Sequence, residues 1–336
     1  MEIKLDLSSF EQFLKIVETI EKSQEPSEEE WNSLFETPGY KALIESEFNK
    51  EFFKRSFLAV FDPKRNEELN VLLEGKTARY IKYYQQVKQV KDRYNLDIND
   101  IKKNWTELQD KIFARAAAFL PYRIPEKNPT VSILVFDTDA RGYDTLIIDA
   151  SFTFRIEDFV SLTAHEVHHF YRNQMLQYDK EKIEEEDKEL IWILNQIQGE
   201  GIADHIDKDY FIFGNIKTAF PEAYVKFYKD RVEKVPLVIK DINKISKEYS
   251  ENKISISDLG KKLKDLVSLA GHPLGYFITN IIIKNSYFDD LIRILGNPFK
   301  FFELYNKAAR IDRENVPLFS ENFIMLTSSL EKKYCK

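Results

Sequence analysis

The run Leu162-Thr163-Ala164-His165-Glu166-Val167-His168-His169-Phe170-Tyr171 contains one short pattern with a mechanism attached, His165-Glu166-x-x-His169. On a helix, residues four apart lie about 40° apart in rotation and about 6 Å apart along the axis. His165 and His169 can therefore hold one metal ion from a single face, while Glu166 points aside, toward a water on that metal. From Phe159 to Tyr171 there is no Lys, Arg or Asp, and no Glu besides Glu166. A helix apolar on most sides is a buried helix, and buried histidines and carboxylates need partners. A solvated, histidine-rich turn would carry the same five letters, but Leu162, Ala164, Val167, Phe170 and Tyr171 around them argue against it.

Two histidines do not complete a site. A catalytic zinc usually takes a third protein ligand and leaves one position for water. The candidate is Glu200, in Gln198-Gly199-Glu200-Gly201-Ile202-Ala203-Asp204-His205. Gly199 and Gly201 each cost a helix interior about 1 kcal/mol relative to Ala, and small residues beside a ligand let two helices approach closely. Asp204, four residues after Glu200, projects from the same face. There it could accept the second N–H of a liganding histidine and fix its tautomer. A helix break with a solvated acid pair is the blander alternative; the metal reading explains both halves of the pattern at once.

His165-Glu166-x-x-His169 followed by Glu200-Gly201-Ile202-Ala203-Asp204 resembles the gluzincins, the thermolysin-like zinc peptidases. The resemblance covers Asp149 to about Asp207. It implies that His165, His169 and Glu200 hold Zn2+, that Glu166 is the catalytic base and that Asp204 supports the first histidine. It also implies an α+β, predominantly α-helical fold, with a zincin-like core and a small sheet next to the metal-binding helix. Further out, Trp31 to Leu43 and Gly271 to Tyr276 look like an uncharacterised family of zinc-dependent peptidases. Two features depart from zinc aminopeptidases and their relatives. The upstream Gly-x-Met-x-Asn segment is absent, which leaves action at a free amine unsupported. No motif marks the residue that stabilises the oxyanion.

Composition sets wider bounds. The chain has 336 residues, 43% hydrophobic and 14% aromatic, ample for a large core in one domain or two subdomains. A net charge of −7 disfavours nucleic acid or an anionic membrane as the main partner, and the resemblance to zinc peptidases implies a peptide or protein substrate. The start, Met1 to Ser8, has no basic run followed by an apolar one, and no 18-residue apolar stretch occurs. Cys335 is the single cysteine, so no intrachain disulfide forms. These features suit a cytoplasmic protein.

The first third reads as helices. Phe10, Phe13, Leu14, Val17 and Ile20 form a helical stripe, Ser27-x-x-Glu30 is a capping box, and Thr37-Pro38 starts another helix. Two long helices are expected at 66–94 and 98–120, split by Asn95-Leu96-Asp97. Pro121 to Pro129 punctuates the chain, which suggests a helical subdomain at 1–125 and a catalytic region at 126–336. Val131 to Phe136 and Thr145 to Asp149 read as strands, with a turn over Asp137 to Asp144. The rest reads as helical, broken at Pro221, Pro236, Gly271, Pro273, Pro298 and Pro317. In Gly271-His272-Pro273-Leu274-Gly275-Tyr276, both His272 and Tyr276 sit at a helix start where a side chain could face a cleft. Either could donate to the oxyanion. Tyr276 is favoured, since a phenol stays protonated up to about pH 10, whereas a neutral histidine must hold the right tautomer.

The leading reading is a zinc metallopeptidase. A di-iron oxidase is the first alternative, because Glu166-x-x-His169 is also the spacing of di-iron helix bundles. That architecture wants a second Glu-x-x-His, and none of the other histidines supplies one. A binding or scaffold protein with an inert metal site is the second alternative.

Overall fold

The computed structural model describes residues 2–214, 220–312 and 316–335. It is α+β and predominantly helical, and its residues group into two compact units. The first consists of residues 1–113 and 127–167, the second of 114–126 and 168–336. In this grouping the strands fall with the N-terminal helices.

The first unit opens with strand β1 (Lys4–Asp6) and helices α1 (Ser8–Glu21), α2 (Glu28–Phe35) and α3 (Pro38–Ser46). Helices α4 (Lys50–Phe61), α5 (Asn66–Leu73), α6 (Ala78–Lys103) and α7 (Trp105–Ala117) follow. Then come β2 (Thr130–Leu134), β3 (Ala140–Gly142), β4 (Leu146–Asp149) and α8 (Ile156–Gln174). The last residues of α7 and α8 belong to the second unit, and each helix is continuous. The capping box at Ser27 and Glu30 forms as expected, and Pro38 opens α3.

Three departures from the sequence expectations have local causes. Helix α6 runs straight through Asn95-Leu96-Asp97, because buried Tyr94, Ile98 and Ile101 carry its apolar stripe across them. The break falls at Asn104, whose side-chain amide donates to the carbonyl of Asp100. Strand β1, three residues long, was not read from the sequence; it pairs in parallel with β2. The expected turn at Asp137 to Asp144 contains β3, antiparallel to β4 at the edge of a sheet ordered β1-β2-β4-β3. Arg141 ties β3 down, with Nε donating to Glu47 at 2.7 Å and Nη1 lying 2.5 Å from Asp139. The Tyr143 hydroxyl also donates to Glu47.

The core of this unit is aromatic. Phe13, Phe57 and Phe61 meet edge to face, Phe57 reaches Tyr84 at 5.1 Å, and Tyr40 reaches Phe53 at 5.2 Å. Such pairs add to the burial of their area. Their polar ends are used: Tyr40 donates to the carbonyl of Val135, Tyr84 to that of Phe136 and Tyr83 to Asp149. Helices thus pin the chain between β2 and β3.

The second unit contains α9 (Lys188–Phe211), α10 (Glu222–Glu233), α11 (Val235–Ser250) and α12 (Ile256–Leu266). Helices α13 (His272–Lys284), α14 (Phe288–Arg293), α15 (Pro298–Ala309) and α16 (Glu321–Tyr334) complete it. Pro236, Pro273 and Pro298 stand in the first turns of their helices, where a missing N–H costs nothing. Helix α9 is buried nearly all round. It meets α13 where Gly201 faces Gly275, and a Cβ on Gly201 would lie 2.2 Å from the Gly275 carbonyl carbon. The two backbones touch, which only glycine at both positions allows. Among the described residues no single helix is long and apolar enough to cross a membrane.

Candidate metal centre

Helix α8 carries His165, Glu166, His168 and His169. Leu162, Ala164, Val167 and Tyr171 around them are buried, as are His165 and Glu166, and Phe170 is half-buried. His168 turns away from the pattern, and its Nε2 donates to the carbonyl of Phe119 at 3.3 Å. His169 points at α9, with Nε2 3.0 Å from an oxygen of Glu200. One ligand atom from each of His165, His169 and Glu200 lies within 4.8 Å of the other two.

These residues fit a zinc ion. Two donor atoms on one tetrahedral zinc, with bonds of about 2.0–2.1 Å, lie about 3.3 Å apart. The His169–Glu200 separation is close to that. Two imidazoles and one carboxylate are also a donor set of catalytic zinc sites. A second triplet, His165, Asp204 and Asp207, is equally compact. Buried Lys208 serves it instead, with Nζ 2.5 Å from Asp207 and 3.6 Å from Asp204.

Asp204 has no exposure and is shared by several groups. The Tyr228 hydroxyl donates to it at 2.6 Å, and Nδ1 of His272 lies 2.9 and 3.0 Å from its two oxygens. A carboxylate only accepts, so this bond places the His272 proton on Nδ1. Nε2 of His272 is then turned toward Glu200, 3.4 Å from its oxygen. Burial works against a charge on His272. The carboxylates of Asp204 and Glu200 outweigh it and hold the ring above the ordinary histidine range. The His272 side chain keeps 26% of its exposure, enough for a substrate to reach it.

Local backbone explains why His272 arrives there. The Gly201–Gly275 contact presses the first turn of α13 against α9. Before it, Leu269 and Ala270 each take φ of 49° and Gly271 takes 101°. Left-handed backbone at two non-glycine residues costs of order 1–3 kcal/mol each. The turn folds beneath Ile197, where a Cβ on Gly271 would meet that side chain at 2.8 Å.

Tyr276 lies elsewhere. Its hydroxyl donates to Asp209 at 2.6 Å and its ring stacks on His205 at 4.3 Å. Asp209 is nine residues past Glu200, a rise of about 13 Å along α9. Burial and the Asp209 carboxylate both push the phenol up.

Sequence reasoning missed Lys208, Tyr228 and Gly142. Lys208 follows Asp204 by four residues, an ion-pair spacing on a helix that could have been read. Tyr228 carries no such signal. Gly142 stands on edge strand β3, and a Cβ there would lie 3.0 Å from a carboxylate oxygen of Glu166. Glu166 thus lies against the open strand of the sheet.

Comparison with curated proteins finds no match, and comparison with solved structures finds none either. A family profile does match, over residues 31–314. That span takes in α8 and α9, β2 to β4 and the His272 turn, and the chain belongs to the family described as "Putative zinc dependent peptidase (DUF5700)".

Proposed function

We propose that this protein is a zinc peptidase of the gluzincin type, with a zincin-like core. His165, His169 and Glu200 would hold the ion, which when bound polarises a carbonyl and lowers the pKa of its water to about 7. The observation that carries the reading is the 3.0 Å approach of His169 to Glu200 between two buried helices.

The chain's own residues have distinct tasks. Glu166 takes a proton from the attacking water and later delivers it to the leaving amine, as a general base and acid. Asp204 orients imidazole rings through its buried carboxylate. His272 takes the oxyanion role in preference to Tyr276. Asp204 accepts from Nδ1, so Nε2, the side near Glu200, donates when the ring is charged, the form that the Asp204 and Glu200 carboxylates favour. Strand β3 lies at the edge of the sheet beside Glu166, where an extended peptide can add as a further strand. The bare Cα of Gly142 leaves room for that approach.

Elemental analysis of protein purified without added metal tests the centre. One zinc per chain is expected; absence of zinc, or two irons, would sink the reading. Glu166→Gln should then keep the zinc and lose about 10²- to 10⁴-fold in peptide hydrolysis. Loss of zinc in that variant, with full retention in Glu200→Gln, would reverse the assigned roles.

A further inference from the structure

Arg172 stands on α8 three residues after His169, and is 1% exposed. Its Nη2 donates to the side chains of Gln198 at 2.7 Å and Asn195 at 3.0 Å, both on α9. Among the described residues no carboxylate pairs with the guanidinium, and its Nε has no acceptor. Gly199 lies against it: a Cβ there would be 3.2 Å from Nη1 and 3.3 Å from Cζ. The tie continues, since Gln198 Nε2 donates to the carbonyls of Ile294 and Asn297.

A buried charge hydrogen-bonded only to amide oxygens, with Glu200 attracting it from further off, is a costly choice, and a well-packed apolar residue is often more stable. What arginine adds is a rigid planar fork. Here one nitrogen of it, Nη2, grips two acceptors one turn apart on α9, at Asn195 and Gln198, while its flat head lies against Gly199. That grip fixes both the rotation and the height of α9 against α8. A slip of one residue would turn α9 by about 100° and shift it about 1.5 Å. Glu200, two residues beyond Gln198, would then leave His169. Gly199 fits the same account, because any side chain there would lift the fork from the helix.

We infer that Arg172 is a positioning residue for Glu200: it sets the register of α8 and α9 and so assembles the third ligand of the metal centre. This rests on the zinc reading above. It assigns Arg172 no contact with substrate and no part in proton transfer.

Arg172→Lys keeps the charge and loses the fork. Zinc affinity, measured by competition with a chelator, should fall about 10- to 100-fold, the usual cost of losing an outer partner of a ligand. The visible absorption of the cobalt(II)-loaded protein should change with it. Asn195→Ala, which removes one acceptor and leaves the arginine, should shift both readouts less and in the same direction. It carries the test if Arg172→Lys does not fold. A folded Arg172→Lys protein with wild-type affinity and cobalt spectrum overturns the inference, even if it melts earlier, because Arg172 would then be a packing residue. Wild-type protein that binds neither metal would remove the zinc reading as well.

Discussion

Helices α1 and α4 in the first unit and α9 in the second are all long, buried and rich in apolar residues, yet their interiors are built differently. Phe57 meets the rings of Phe13, Tyr40, Phe53, Phe61 and Tyr84, and the two tyrosines send their hydroxyls to backbone carbonyls. Around α9 the buried side chains include Asn195, Gln198, Asp204, Asp207 and Lys208, with charge matched to charge. The first interior gains from area removed from water. The second pays a desolvation penalty that only good partners offset. A chain keeps such an interior where it needs a specific geometry, and α9 is the helix that carries Glu200.

The contrast predicts opposite outcomes for substitutions in the two regions. Phe57→Ala should cost about 3–5 kcal/mol of stability, the usual range for a large aromatic in a full core. Metal content per folded molecule should not change. Denaturant melts and zinc analysis on the same samples check both halves, and a loss of zinc from folded protein would break the contrast. Gly275→Ala acts in the second region, where a new methyl would lie 2.0 Å from the carbonyl oxygen of Ile197. Overpacking costs about 1–3 kcal/mol when side chains can yield. Here the obstacle is backbone, so the upper end of that range is expected. The helices must separate, which draws His272 from Asp204, and hydrolysis should fall in the molecules that stay folded. Hydrolysis at the wild-type rate per folded molecule would show that the crossing does not place His272.

Asp204→Asn should lower zinc affinity about 10- to 100-fold. It replaces an anion facing His272, Tyr228 and Lys208 with a group that cannot accept from all of them. Chelator competition reads the change, and unchanged affinity would reduce Asp204 to a structural residue.

How much of this was legible in the sequence follows the same division. The stripe Phe10, Phe13, Val17 shows its period within one helix, so α1 could be read locally. The pair His165 and His169, with Glu166 beside them, could be read too, because the spacing is itself the signal. The glycines around Glu200 announced a close approach without naming what approaches. That was Gly275 for Gly201 and Arg172 for Gly199, 74 and 27 residues away in sequence. The environment of Asp204 depends on Tyr228 and His272, on separate helices, and no local pattern couples them. Strand β3 was hidden because Asp137, Asp139, Gly142 and Asp144 spell a turn. Its pairing with β4 and the Arg141–Glu47 bond override that preference.

A pH measurement probes the buried carboxyl of the first unit. Asp149 has no exposure, and burial pushes it up to about 7, against donors from Phe136, Ser151 and Tyr83. In the unfolded chain an aspartate titrates near 3.9. The folded state therefore binds the proton more tightly. Its contribution to stability is fully present below about pH 4 and is lost as pH rises through about 7. Asp149→Asn should lack that component, so the stability difference between the two proteins should change across this window. Parallel stability curves from pH 4 to 8 would show that Asp149 keeps its charge throughout.

The mildest change expected is Tyr276→Phe, which separates the two candidates of the His272 turn. Both stand in the first turns of α13, four residues apart, so helix periodicity alone puts them on one side. What divides them is their partners. His272 meets Asp204 and Glu200, level with the ligand, whereas the Tyr276 hydroxyl is bonded to Asp209, about 13 Å further along α9. A hydroxyl so placed would have to leave a charged acceptor and its stack on His205 before it could serve a reacting carbonyl. Its removal should cost stability only, of the order of 1.5–3 kcal/mol for a hydrogen bond to a charged group. Maximal rate and zinc content should remain near wild type. His272→Ala should keep the zinc and lose rate, since oxyanion donors contribute about 3–4 kcal/mol where they have been removed. If the rates fell the other way round, with Tyr276→Phe slow and His272→Ala fast, the phenol would be the donor and α13 would have to move before catalysis.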